Sequence, residues 1–330
     1  MEDLEESKQI KIVPTLLDEV SKNAAWCATF QLVWNDMQNE LVKQDVVFSP
    51  QLKVVENLNR QTFQENNIED NYYYKIYGFV SLALKEKIER GIFEKFHQTS
   101  DILDLINWNS KQDILFYTML YRKFTFYTVF SVLPNGNFNG FQESYTDVKY
   151  FGVDGTTDKS VYEQISVLYY NSERDFAVLL DTQEGDQVLL AKGENGKTFG
   201  DIYGNVLKKQ KEYRGNRCFT KHDTLKVPKM EFNELKEYTE LENRTFMAAD
   251  DKEYFISKAL QTIKFSIDEN GGEIKSEAAI VVSRGISVEP KEVEHRYFEF
   301  DSAFTMFLID EKHQELPYFA ANIDDIILYQ

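Results

Sequence analysis

Three sets of residues in this 330-residue chain have types and spacings that could do chemistry. The first is Ala191-Lys192-Gly193-Glu194-Asn195-Gly196-Lys197-Thr198, which follows a strand-like run and has the outline of a relaxed phosphate-binding loop, with Ala replacing the leading Gly. Such a loop works because backbone N–H groups and a Lys cradle phosphates where a helix begins. The next residues are Phe199-Gly200-Asp201-Ile202-Tyr203-Gly204, and two glycines among aromatics predict a poor helix. No parallel strand–helix alternation surrounds the motif, so it reads as a glycine-asparagine hairpin turn. The second candidate is Cys27 as a nucleophile, which would need a histidine base and a third group to orient it. His97, His222, His295 and His313 lie in no recognisable motif. Cys27 also falls on the apolar face of its expected helix, where a small buried thiol is ordinary. The third set is the carboxylate pairs Asp250-Asp251 and Asp324-Asp325. Their loop-like surroundings predict solvated side chains rather than a catalytic couple.

The elements that would position these residues divide the chain unevenly. Residues 1–12 read as a loose, mobile acidic tail. A helix is predicted over Ala24–Leu41 with Asn23 as its cap, because Trp26, Phe30, Val33, Trp34, Met37 and Leu41 recur at helical spacing. Val46–Ser49 reads as a short strand stopped by Pro50, and a second helix covers Val80–Phe96. From Ile114 strand-like runs dominate: Ile114–Tyr121, Phe124–Val132, Val148–Val153, Ile165–Tyr170, Phe176–Leu180, Val188–Ala191 and Leu225–Phe232. Asn135-Gly136 and Asn139-Gly140 are turn signals. A short helix is expected over Leu235–Leu241. Strands follow at Ile256–Ile267, Ala278–Val282, Tyr297–Phe300, Thr305–Ile309, Tyr318–Ala321 and Ile326–Leu328. Helices early and strands late predict an α+β fold, helix-rich over 13–110 and strand-rich over 111–330, in a single domain.

Composition narrows the function. With Lys plus Arg 37 and Asp plus Glu 55, the net charge is −18. That acidity repels nucleic-acid phosphates and anionic lipid, so neither is an expected partner. The 19 Tyr and 25 Phe suit half-buried sheet surfaces. Cys27 and Cys218 are too few for a disulfide framework or a zinc motif, and no motif calls for a cofactor. The acidic, polar start is unlike a signal peptide and no stretch is long and apolar enough to span a bilayer, so the expected location is cytoplasmic. Asn243-Arg244-Thr245 is a glycosylation sequon with meaning only in a secreted chain.

A string of local patterns then resembles the serpin family. Leu225-Lys-Val-Pro-Lys-Met-Glu-Phe232 resembles the family's "LxxPKFxI" strand, and Leu235-Lys236-Glu237 stands where serpins begin a short helix. Ile256 to Gly271 is similar to the strand leading into the serpin hinge. Phe300-Asp-Ser-Ala-Phe304 and Thr305–Ile309 look like the "F-x-x-x-(P)F" element and its core strand, and Leu316–Ala321 like the last strand, without the family's Gly. Met119–Lys123 stands where serpins carry "AIYFKG", and the helix before Phe48-Ser49-Pro50 matches the family's opening. The resemblance is good over 220–330, fair over 110–180 and thin elsewhere. It implies a shortened, divergent, bacterial-type serpin-like protein with mixed and antiparallel sheets, a reduced main sheet and no catalytic residues.

In that family the loop after the hinge is bait for a protease, and cleavage lets it insert as a new strand. By resemblance, Glu269, Asn270, Gly271, Gly272 and Glu273 form the hinge and 274–294 the loop, with Arg284-Gly285 near the scissile bond of a trypsin-like target. Yet Gly272, Ile274, Lys275, Ser276 and Glu277 replace the family's small residues, and Gln51, Leu52, Lys53 and Val54 replace its serine-rich switch. The family's Asn, Trp and His at the insertion point map to Thr118, Phe126 and Gln261, and the span from Phe48 to Thr118 is much shortened. Gly272, Ile274, Ser276, Ala278, Ile280 and Val282 would share one strand face, with Glu273, Lys275 and Glu277 on the other. The loop start can therefore lie in a sheet without burying charge. The expectation is a non-inhibitory module that binds a protein or a small ligand. The alternative is a protease inhibitor presenting Arg284.

Overall fold

The computed structural model describes residues 9–110, 112–140, 143–155, 157–274 and 295–330. Four α-helices occur among them: α1 (Thr29–Asp36), α2 (Lys53–Asn59), α3 (Leu82–Phe96) and α4 (Phe199–Glu212). The strands are β1 (Lys11–Ile12), β2 (Ala24–Cys27), β3 (Tyr73–Phe79), β4 (Ile114–Leu120), β5 (Arg122–Thr125), β6 (Ser131–Asn139), β7 (Ser144–Val153), β8 (Ile165–Ser172), β9 (Asp175–Asp181) and β10 (Asp186–Lys192). They continue with β11 (Thr224–Pro228), β12 (Met230–Glu237), β13 (Thr245–Met247), β14 (Glu253–Phe255), β15 (Leu260–Ile267), β16 (Gly271–Ile274), β17 (Tyr297–Glu299), β18 (Phe304–Asp310) and β19 (Phe319–Ile323).

The strands form a seven-stranded sheet in the order β1-β2-β19-β18-β10-β9-β8, two four-stranded sheets, β17-β11-β7-β6 and β12-β15-β16-β5, and two ribbons, β13-β14 and β3-β4. Most pairs are antiparallel, while β1-β2 and β11-β17 are parallel. The architecture is α+β with mixed and antiparallel sheets, as the sequence predicts. Every residue of β10 and β18 is buried. Their central runs, Val188–Ala191 and Met306–Ile309, are apolar throughout because both faces are covered: Phe199 and Tyr203 of α4 pack on Phe307 from one side, and Phe138 of β6 meets Phe304. In β15, by contrast, Gln261, Ile263, Phe265 and Ile267 are buried and alternate with more exposed residues, the signature of one covered face.

Several sequence expectations fail, each for a physical reason. The predicted helix over Ala24–Leu41 begins instead as β2, which pairs with both β1 and β19. Ala24, Ala25, Trp26 and Cys27 are buried on both faces, and a short all-apolar run has no period to distinguish strand from helix. Asn23 does not cap a helix; its Oδ1 accepts from the N–H groups of Asp324 and Asp325 at 3.0 and 2.8 Å. Residues 9–12 are not loose either, since Ile10 and Ile12 are buried. Val46–Ser49 forms no strand, because Asn59 bonds both backbone groups of Val46. Phe124–Val132 is divided between β5 and β6, with Phe126 and Phe130 packing ring to ring at 4.7 Å in between. Leu225–Phe232 divides at Lys229 into strands of two different sheets. Leu235–Glu237 stays in β12, where all eight residues pair with β15, so the short helix there does not form.

Asn135-Gly136 lies within β6 at an irregularity of register rather than in a turn. Ile256–Ile267 is extended as β15 only from Leu260. Ile326–Tyr329 is a 3₁₀ turn, not a strand, with the Asp325 side chain accepting from Ile327 N–H at 3.1 Å. The predicted strand Ala278–Val282 lies outside the described residues.

A buried ion pair joins two of the sheets. Arg122 of β5 donates from Nε to Asp186 of β10 at 2.7 Å and from a terminal nitrogen to the other carboxylate oxygen. The same nitrogen donates to the Tyr72 hydroxyl and the Glu184 carbonyl, and Tyr318 donates to Asp186 at 2.6 Å. Burial pushes the Asp186 carboxyl up to about 6 against the opposing pull of Arg122.

Candidate functional site

The family-like hinge is a hairpin. After β15 the Asp268 N–H donates to Gly271 O at 2.8 Å, and Asn270 N–H donates to the Asp268 side chain at 2.8 Å. The chain turns straight back as β16, which pairs with β15 on one side and β5 on the other. Two glycines permit this. Gly271 has φ +152°, and a Cβ there would stand 2.0 Å from Phe124 O. A Cβ on Gly272 would stand 2.5 Å from the Phe124 ring and 2.6 Å from Ser266 O. Glu269 pairs with Lys229, and its carbonyl accepts from Phe130 N–H at 3.0 Å. Of the predicted hinge and loop residues, the structure therefore brings Glu269, Gly271 and Gly272 together. Arg284 and Gly285 lie outside the described residues.

Among the described residues, no strand bridges β15 and the chain before β5 past Ile274. β4, the extension of β5, pairs with β3 on one edge, while Leu260–Lys264 of β15 pairs with β12. Between these two banks lies a cleft of about 480 Å³. Its floor is apolar, from Phe30, Val33 and Trp34 of α1 with Met37 and Leu41 of the following π-helical turn (Met37–Val42). Ile263 extends that surface on one bank, whereas Tyr117 and Met119 of the other bank pack in a separate apolar cluster against α3.

Thr118 and Gln261 are among the polar residues of the banks, with Thr262 and Lys264 beside them. Gln261 is fully bonded: its amide donates to Cys27 O and Thr29 Oγ1, and its oxygen accepts from Tyr238 at 2.8 Å. Thr118 is 8% exposed, and its Oγ1 has no hydrogen-bond partner among the described residues. A buried hydroxyl left in that state costs about 1–3 kcal/mol, and the lining also carries charged side chains, Asp101, Asp113, Glu253, Lys258 and Lys264 among them. Sequence reasoning marked Thr118 and Gln261 only through their family positions, and the fold sets them on facing banks. Phe126, the third such position, packs in the core against Phe130 and Phe151 instead.

The catalytic candidates fare differently. Cys27 lines the cleft, but burial pushes its thiol up to about 11, and no histidine lines the cleft with it. The expected poor helix after Thr198 is in fact α4, because the Thr198 side chain caps it and Phe199, Ile202, Tyr203 and Val206 bury one face. That burial outweighs about 1 kcal/mol for each interior glycine. The helix start is nonetheless closed to phosphate: Gly200 N–H donates to Leu16 O, and Val20 N–H to Lys197 O. Asp250 pairs with Lys252 in solvent as expected, whereas Asp324 is buried.

Protein-family models and curated proteins contain no match to this chain. Among solved structures it is similar to thyroxine-binding globulin in complex with thyroxine, at 15% identity over 74% of this chain and 65% of that one, with a TM-score of 0.47. It is also similar to Serpin48 of the insect Tenebrio molitor, at 13% identity over 73% of this chain and 64% of that one, with a TM-score of 0.38. Both TM-scores fall below 0.5, and the matched region spans less than two thirds of each neighbour's length. The serpin-like hinge, its hairpin and the parted sheet are this chain's own geometry.

Proposed function

We propose that this serpin-like protein is a non-inhibitory binding module and not an enzyme, and that the parting between β4 and β15 is its functional site. The observation that carries the reading is β16, already bonded on both sides within the sheet. A protease trap needs its loop outside the sheet until cleavage. Here the first residues after the hinge are already committed, in a packing that admits only glycine at 271 and 272. The residues that follow lie outside the described residues.

The test is incubation of the intact chain with trypsin-like, subtilisin-like and cysteine proteases. The expected result is nicking near Arg284 with no covalent complex on a denaturing gel and no rise in melting temperature. A complex stable to denaturant would overturn the reading in favour of an inhibitor presenting 274–294.

A further inference from the structure

The opposite end of the long sheet carries a cluster that no sequence motif announces. Asp310 ends β18, His313 lies in the turn that follows, and Glu69 caps the 3₁₀ turn Asp70–Tyr72 before β3. Ligand-type atoms of Glu69, Asp310 and His313 all lie within 4.8 Å of one another. We propose that these three side chains form a binding site for a divalent first-row transition ion, with zinc as its representative.

The donor set is two carboxylates and one imidazole, which suits zinc-type ions better than calcium or magnesium because those take oxygen ligands alone. Asp310 is fixed for the task. It is buried, its Oδ1 accepts from Lys312 N–H at 3.0 Å, and its Oδ2 accepts from Glu69 N–H at 3.2 Å. Supporting bonds of that kind orient a metal-binding carboxylate. His313 Nδ1 stands 2.8 Å from Asp310 Oδ2. Ligands at about 2.0–2.2 Å from a tetrahedral ion are about 3.3 Å apart, so the pair must open by roughly half an ångström. Glu69 closes the third side, and its half-exposed side chain is free to swing inward.

Charge favours a cation here. The carboxylates of Glu311 and Asp181 lie close to Asp310 and add negative charge around it. The competing cation is Lys312, whose Nζ stands 3.3 Å from Glu69 and is largely exposed. An ion would displace that ammonium and fasten the turn after β18 to the segment before β3.

The test uses the full chain, stripped with a chelator and titrated calorimetrically with zinc, then with cobalt followed by visible absorption. One ion per chain is expected, with cobalt bands of an oxygen–nitrogen site. His313→Gln should weaken zinc binding by about tenfold or more, with unchanged circular dichroism. Lys312→Gln should tighten it, because the competing charge is gone. The double variant His222→Gln/His295→Gln should bind as wild type, since that exposed ring pair, 5.3 Å apart, is the alternative imidazole source. Wild-type affinity in His313→Gln and Glu69→Gln, loss of binding in the double variant, or the absence of stoichiometric binding would each overturn the site.

Discussion

The two halves of the β12-β15-β16-β5 sheet are built on the same strand, β15, and end differently. In one half, β16 fills the space between β15 and β5, with backbone partners on both edges. In the other, β15 and β4 stand apart over the aromatic floor of α1. Side-chain size accounts for the closed half: Gly271 and Gly272 are the only residues that fit against Phe124, so the hinge sequence itself closes the sheet there. In the other half α1 supports β4 and β3 flanks it, and among the described residues none fills the backbone edge that faces β15.

The comparison can be broken most severely at Arg122, in the closed half. Arg122→Ala leaves Asp186 buried without its partner, and should cost about 3–5 kcal/mol in denaturant unfolding. A loss below about 1 kcal/mol would mean that the pair does not hold β5 to β10. Next in size is Gly271→Ala, which meets Phe124 O and the positive φ together. Strain of this kind costs about 1–3 kcal/mol, visible as a lowered melting temperature, and an unchanged value would show that the hairpin relaxes freely.

In the open half, Thr118→Val removes the orphaned hydroxyl at nearly constant shape. The unpartnered hydroxyl predicts stabilisation by about 1 kcal/mol, and destabilisation would instead show that a bound ligand uses it. The smallest effect is chemical. Cys218 is exposed while Cys27 is buried, its thiol raised to about 11. A thiol reagent at pH 8 should label one cysteine in the native protein and two after unfolding, and rapid labelling of Cys27 would show that the cleft opens to solvent.

Legibility in the sequence followed burial. β15 alternates, and its span was readable from Leu260 onward because one face meets the core and the other does not. α3 was readable for the same reason at helical period. β2 was misread as helix because residues buried on both faces lose their period. α4 was missed because propensity counts glycines but not the sheet that buries Phe199, Ile202, Tyr203 and Val206. Of the candidate site, the hinge residues Glu269, Gly271 and Gly272 were visible as a local pattern. The cleft was not, because its floor comes from α1 and its banks from β4 and β15, which are far apart in the chain.

What the amino-acid sequence by itself determined is the α+β class, the late strand-rich half, and a hinge whose following residues alternate like a strand. These are local properties, set by side-chain period and by glycine's freedom of conformation. Tertiary structure alone decided that the hinge turns at once into the sheet, that Thr118 and Gln261 face one another across a cleft, and that Glu69 meets Asp310 and His313. Those facts depend on contacts between residues as many as 241 positions apart, and no periodicity within a segment encodes which distant segment will cover it.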